Sequence, residues 1–153
     1  MSDTYYVKTF GGLEITNDNV TVNIVELFGK QLVNLLQVLL FHSEKPVQKD
    51  ELIDILWPES KNPSSALKFS IFRLRAELNE IEFFKDKEVI VTTRKGYILN
   101  PNLDWNIDFV ELEKAYNQIN DGSELLDEKE FKTARKIFRL YQGRFYASPS
   151  QLH

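Results

Sequence analysis

The sequence predicts an α+β fold: a small antiparallel sheet, then three helices, then a β-hairpin, with an α-helical pair at the C-terminal end. Three observations carry this. Between Tyr5 and Ile24 short runs rich in Val, Ile, Thr and Tyr are broken by Gly11-Gly12 and Asn17-Asp18-Asn19, the pattern of strands joined by tight turns. The period then changes, because Leu32, Leu35, Leu36, Leu39 and Leu40 fall on one face of a helix. Further on, Arg94-Lys95-Gly96 separates EVIVTT from YIL, which describes a hairpin with a basic tip whose glycine is free to take positive φ.

In chain order, YYVKTF, LEIT and VTVNI are the expected strands. The first helix is expected from about Lys30 to His42, with Pro46 preventing its continuation. A second follows over Lys49 to Trp57, with Leu52, Ile53 and Leu56 inward and Pro58 as its stop. Asn62-Pro63 is a strong helix start, a side chain able to accept from free N–H groups followed by proline at the first helical position. The helix it opens carries Leu67, Ile71, Leu74 and Leu78 on a single stripe. EFFKDK reads as a linker to the hairpin. Asn100-Pro101-Asn102 is the expected boundary, with one unit over 1–100 and a helical pair over 104–147, and few strands shared across it. In the second part Phe109, Leu112, Tyr116 and Ile119 repeat at helical spacing. A loop at Asp121-Gly122-Ser123 then leads to a helix with Phe131, Ala134, Ile137, Phe138 and Tyr141, which Gly143 closes.

Composition limits what such a fold is expected to do. The chain of 153 residues has no cysteine, which removes disulfides and thiolate metal sites and fits a reducing compartment. It lacks an apolar run of the roughly 18 residues that a membrane span needs and begins without a secretory signal pattern, so the cytoplasm is the expected location. The net charge of −4 argues against an indiscriminate polyelectrolyte binder. Local charge matters more, since a Debye length of about 8 Å screens distant acids. Asn62 to Ala76 holds Lys68, Arg73 and Arg75 and no acid. His42 and His153 have no ligand-spaced partner, and Asp50, Glu51 and Asp54 sit where a helix start favours negative charge. Trp57 and Trp105 read as packing residues, and the leucines of 30–42 last too few heptads for a zipper. Phosphate-loop, nucleophile-elbow and zinc-protease motifs are missing from the sequence. The expectation is a non-enzyme with no metal, no cofactor, no small-molecule site and no membrane partner.

A helix, a turn, a second helix and a basic hairpin have a physical reason to occur in this order. A major groove about 12 Å wide admits one α-helix, while the preceding helix braces it and the hairpin reaches a neighbouring groove or phosphates. With the leucine stripe facing the core, the opposite side of the third helix shows Ser65, Phe69, Phe72 and Ala76, flanked by Arg73 and by Lys68 and Arg75. Arginine's fork suits guanine edges and phosphate oxygens. A basic cluster on a helix is by itself most often a solvated face; its place on the second helix of the turn, beside the Arg94-Lys95 tip, points to DNA. Phe69 and Phe72 suit thymine methyls and sugars, or the surface of another protein. That second option is the alternative function, a winged-helix interaction module that does not read DNA.

The stretch from VKTFGGLEIT through LVNLLQVLLFHSEKPVQKDELIDILWPE, ALKFSIFRLRAEL and VTTRKGYIL resembles the winged helix-turn-helix of OmpR/PhoB-type regulators. It is most similar to the branch found in SARP-type regulators, where this domain is N-terminal. WNIDFVELEKAYNQI and ARKIFRLYQGRF resemble the first two helices of the bacterial transcriptional activator domain, a tetratricopeptide-like array. The resemblance implies a sequence-specific regulator of double-stranded promoter DNA, acting as an activator through RNA polymerase and able to form a homodimer. It implies DNA contacts from Ser65, Lys68, Phe69, Phe72, Arg73 and Arg75 on the third helix, and from Thr93, Arg94 and Lys95 in the wing. Phe72 replaces a residue that is often basic in relatives, so fewer phosphate contacts are expected. The helical array is short and no receiver segment precedes the winged helix. The expectation is a fragment or a short regulator whose signal arrives through the C-terminal helices, through further domains or through abundance.

Overall fold

The computed structural model describes residues 4–120. The expected helix over Phe131 to Tyr141 lies outside the described residues, as does the loop before it. Strands β1 (Thr4–Lys8), β2 (Glu14–Asn17) and β3 (Val20–Asn23) form an antiparallel meander. The alternation that predicts them is visible in burial: Tyr5, Val7 and Ile15 face the core while Tyr6 and Lys8 face solvent. At the β2–β3 turn Asp18 takes φ +52°, a conformation that aspartate tolerates better than most residues. The third strand ends one residue earlier than VTVNI suggests. Ile24 opens a short helix, α1 (Ile24–Leu27), and the Asn23 side chain accepts from the Glu26 N–H at 3.3 Å.

Helices α2 (Lys30–Phe41), α3 (Lys49–Leu56) and α4 (Pro63–Asn79) pack on one another as the leucine spacing demands. Leu32, Leu35, Leu36, Leu39 and Leu40 are buried, and so are Leu67, Ile71, Leu74 and Leu78. Each such side chain is worth about 1.5–3 kcal/mol when fully withdrawn from water. Trp57 and Trp105 both pack, half-buried, against this core. Asn62 stands at the N-cap of α4 with Pro63 behind it, but its side chain makes no capping hydrogen bond. Its backbone is extended toward ψ 64°, and its own N–H donates to Ser60 Oγ at 3.2 Å. The helix start therefore rests on the proline and on the Asn62 carbonyl, which accepts from Ala66 N–H at 3.1 Å.

After α4 a 3₁₀ turn, Glu82–Phe84, occupies the stretch that reads as a linker and buries Phe84. Phe83 and Phe84 lie against the Tyr5 ring, with centroids 5.9 and 4.8 Å away. The Tyr5 hydroxyl accepts from Lys87 Nζ at 2.7 Å and donates to the Phe83 carbonyl at 3.2 Å. The sheet is thus pinned to the segment that leads into the hairpin β4 (Ile90–Thr93) and β5 (Gly96–Leu99).

The sequence predicts few shared strands across Asn100-Pro101-Asn102, and the structure differs. Residues Asp104–Ile107 form β6, which pairs in parallel with β1 and completes a four-stranded sheet of order β3-β2-β1-β6. Helix α5 (Asp108–Asn120) follows at once, with Phe109 buried in the same core. Asp108 ties the two ends together. Its carboxylate accepts from the Thr9 hydroxyl, from Thr9 N–H at 2.9 Å, from Phe10 N–H at 3.3 Å and from Phe109 N–H at 2.7 Å.

Replacing Asp108 with Ala leaves several donors without their charged acceptor, so we expect a loss of about 1.5–3 kcal/mol in denaturant unfolding. Cutting the chain after Leu103 should abolish a cooperative transition, because it removes β6 from the sheet and Phe109 from the core. Asn62→Ala, by contrast, should cost less than about 0.5 kcal/mol, because no side-chain cap is lost. A cost of about 1 kcal/mol or more would mean that the side chain caps the helix in solution.

Candidate nucleic-acid interface

The rotation of α4 is fixed by its buried stripe, and the remaining faces follow from about 100° per residue. Ser65, Lys68, Phe69, Phe72, Arg73 and Ala76 are all exposed. Phe69 and Phe72 are 63% and 70% exposed, large apolar surfaces that a monomer has no reason of its own to present together. Arg73 lies between them and the end of the helix. Its guanidinium carbon is 6.0 Å from the Phe69 ring centroid, and its terminal nitrogen donates to Glu77 Oε1 at 3.2 Å.

Arg75 is placed differently from the other basic residues. It is half-buried, its Nε donates to the Ile90 carbonyl at 3.1 Å and a terminal nitrogen donates to Thr92 Oγ1 at 2.7 Å. The guanidinium also stands 6.0 Å from the Tyr97 ring centroid. Arg75 therefore fastens the hairpin to α4 from within the fold, a role its sequence position alone does not reveal. Thr93 is likewise occupied. Its hydroxyl donates to the Gly96 carbonyl at 3.0 Å and accepts from the Lys95 and Gly96 N–H groups at 3.2 Å, closing the turn.

Arg94 and Lys95 form the exposed tip of this turn. The positive φ falls on Gly96, at +144°, and a side chain there would meet the Val47 carbonyl oxygen at 1.9 Å. That close approach exists because Val47 pairs with Tyr97 through two hydrogen bonds of 2.8 and 3.0 Å, adding a third backbone segment to the hairpin. Arg75 from α4 and Val47 from the segment before α3 thus tie both strands of the hairpin to the helices.

A helix-turn-helix of α3 and α4 followed by a hairpin clamped to its second helix is a winged helix. The profile of the family described as "Transcriptional regulatory protein, C terminal" matches residues 22–99. The chain belongs to this family. The protein is a DNA-binding transcription regulator, and double-stranded DNA is the ligand of its winged-helix domain. Among solved structures it is similar to the DNA-binding domain of E. coli CadC, with 27% identity and a TM-score of 0.44 over 56% of this chain and 77% of that one. It is also similar to Mycobacterium tuberculosis EmbR, solved in complex with a low-affinity phosphopeptide, with 19% identity and a TM-score of 0.52. That match covers 95% of this chain, which spans 36% of the EmbR chain. No curated protein matches the chain.

Elsewhere on the regulator, a groove of about 320 Å³ between β3, α1 and the end of α4 is lined by Val20, Val22, Leu27 and Ile81. Glu77, Glu80 and Glu82 border it, which gives it the wrong sign for a phosphate backbone. Among the described residues no helix is long and apolar enough to cross a membrane, and no group of acids and histidines is arranged to hold a metal ion.

Replacing Arg75 with Met keeps the apolar stem and removes both hydrogen bonds to β4. We expect a stability loss of about 1–2 kcal/mol, reduced from the full value of charged hydrogen bonds by partial solvent exposure. Amide exchange in 90–99 should accelerate more than in α2. Unchanged exchange across the hairpin would show that Val47–Tyr97 pairing alone holds it.

Proposed function

We propose that the protein binds promoter DNA sequence-specifically, with α4 in the major groove and the Arg94-Lys95 tip on phosphates or in the adjacent minor groove. The observation that carries this is the exposed side of α4, where two phenylalanines and Arg73 stand in solvent beside a basic hairpin hydrogen-bonded to the same helix. Ser65, Lys68, Phe69, Phe72 and Arg73 are the direct contacts. Arg75 and Thr93 act mainly by holding the wing in place. Both keep polar atoms near the interface, but each already has partners within the fold.

The resemblance of the C-terminal part to a bacterial transcriptional activator domain supports a SARP-type activator that works in the cytoplasm, recruits RNA polymerase and is able to dimerise. Because β6 and Phe109 belong to the sheet and core, the DNA-binding unit on this proposal runs through the start of α5. The helical pair shares α5 with it. A second function has one observation in its favour: the exposed Phe69 and Phe72 would also serve to capture another protein.

The two separate by mutation, using duplexes selected from random sequence by the wild-type protein. Arg73→Ala should cost about 1–3 kcal/mol on the preferred site and relax discrimination at one position if the contact is to a base. Arg94→Ala with Lys95→Ala should weaken binding to all sequences and flatten the salt dependence by up to about two units of slope. A wild type with no saturable, salt-sensitive DNA binding would favour the protein-interaction function, in which Phe72→Ala abolishes partner capture.

A further inference from the structure

Arg73 does not stand alone on α4. Phe69, Arg73 and Glu77 occupy successive turns of one helix face, the ring 6.0 Å from the guanidinium carbon on one side and the Glu77 carboxylate 3.2 Å from a guanidinium nitrogen on the other. The guanidinium is laid along the helix axis by contacts from both directions. Glu77 Oε1 makes this bond. Glu77 Oε2 is buried, and no described residue donates a hydrogen bond to it. A partly exposed ion pair of this kind adds little to stability. The fold alone would be served as well by an uncharged residue at this position. A negative charge here also faces a helix surface that is meant to approach a polyanion, which makes its presence harder still to explain by stability.

We propose that Glu77 is a specificity-determining residue that acts through Arg73, an inference that rests on Arg73 as a DNA contact. Guanidinium has five donors. One is held by Glu77, and the paired donors that suit the two acceptors of a guanine edge remain available. Phosphate attraction depends chiefly on net positive charge near the backbone. Glu77 cancels that charge for Arg73 without using the donors that read a base. The result is an arginine biased against indiscriminate phosphate contact and pre-aligned for a base edge, on a chain whose overall charge of −4 already disfavours non-specific binding.

Two variants of the full chain separate charge from hydrogen bonding. Glu77→Gln keeps an acceptor for Arg73 and removes the charge. Glu77→Ala removes both. For Glu77→Gln we expect affinity for a scrambled duplex to rise roughly 3–10-fold and the salt dependence to steepen by about one unit of slope. Affinity for the selected duplex should rise less, so the ratio between the two falls. Glu77→Ala should lower the ratio further and weaken binding to the selected site, because Arg73 is no longer aligned. Near-ultraviolet circular dichroism should match the wild type for both variants. Equal changes on both duplexes would reduce Glu77 to bulk charge and overturn the proposal, as would no change on either. Those outcomes, obtained while Arg73→Ala still weakens selected-site binding, would sink the Glu77 assignment alone. A wild type that does not bind DNA would remove it together with the DNA-binding function.

Discussion

What α4 presents to solvent depends on how it is rotated, and that rotation is set by burying Leu67, Ile71, Leu74 and Leu78 against α2 and α3. Four large aliphatic side chains on one stripe represent several kcal/mol of hydrophobic free energy. Turning the helix by a single residue, about 100°, would put Lys68 and Phe72 inside. The apolar stripe therefore determines the outward presentation of Phe69, Phe72 and Arg73 as firmly as it determines the core. Core and interface are two sides of the same helix.

The hairpin adds a second constraint. It would be a mobile pair of strands if it rested on its own turn, since two-stranded hairpins are marginal in water. Arg75 bonds it to α4, Val47 extends it by a bridge to Tyr97, and Gly96 permits the close approach that the bridge requires. At the other end of the molecule β6 closes the sheet beside β1, and Asp108 satisfies the backbone donors at the end of β1 while opening α5. These ties use polar groups at places where helices and strands meet, while the leucines do the work inside. Ordering the wing and the helix before DNA arrives reduces the entropy lost on binding.

The sequence made legible whatever depends on local pattern. The leucine stripes, the Asn-Pro start of α4, the hairpin and its glycine are all present where spacing and turn chemistry place them. Less legible were features decided by distant partners. Strand β6 is only four residues long and pairs with a strand a hundred positions earlier, so no turn or periodicity announces it after Asn100-Pro101-Asn102. The role of Arg75 needed the position of β4, and that of Thr93 the geometry of its turn. Asn62 has the right identity for a cap, but its backbone directs the side chain elsewhere. Glu77 was visible in principle, four residues after Arg73, a spacing at which helical ion pairs form. Its hydrogen bond to Arg73 could be seen only once both side chains were placed on α4.

On the proposed function, the exposed side of α4 and the Arg94-Lys95 tip form one DNA-reading surface. The most direct measurement is a titration of isotope-labelled protein with a selected duplex, followed by amide and side-chain nuclear magnetic resonance shifts. The largest changes should fall on Ser65, Lys68, Phe69, Phe72 and Arg73 and on Arg94 and Lys95, with β1, β2 and β3 nearly silent. Changes confined to the acid-bordered groove of Val20, Val22, Leu27 and Ile81, with the α4 face unmoved, would contradict it.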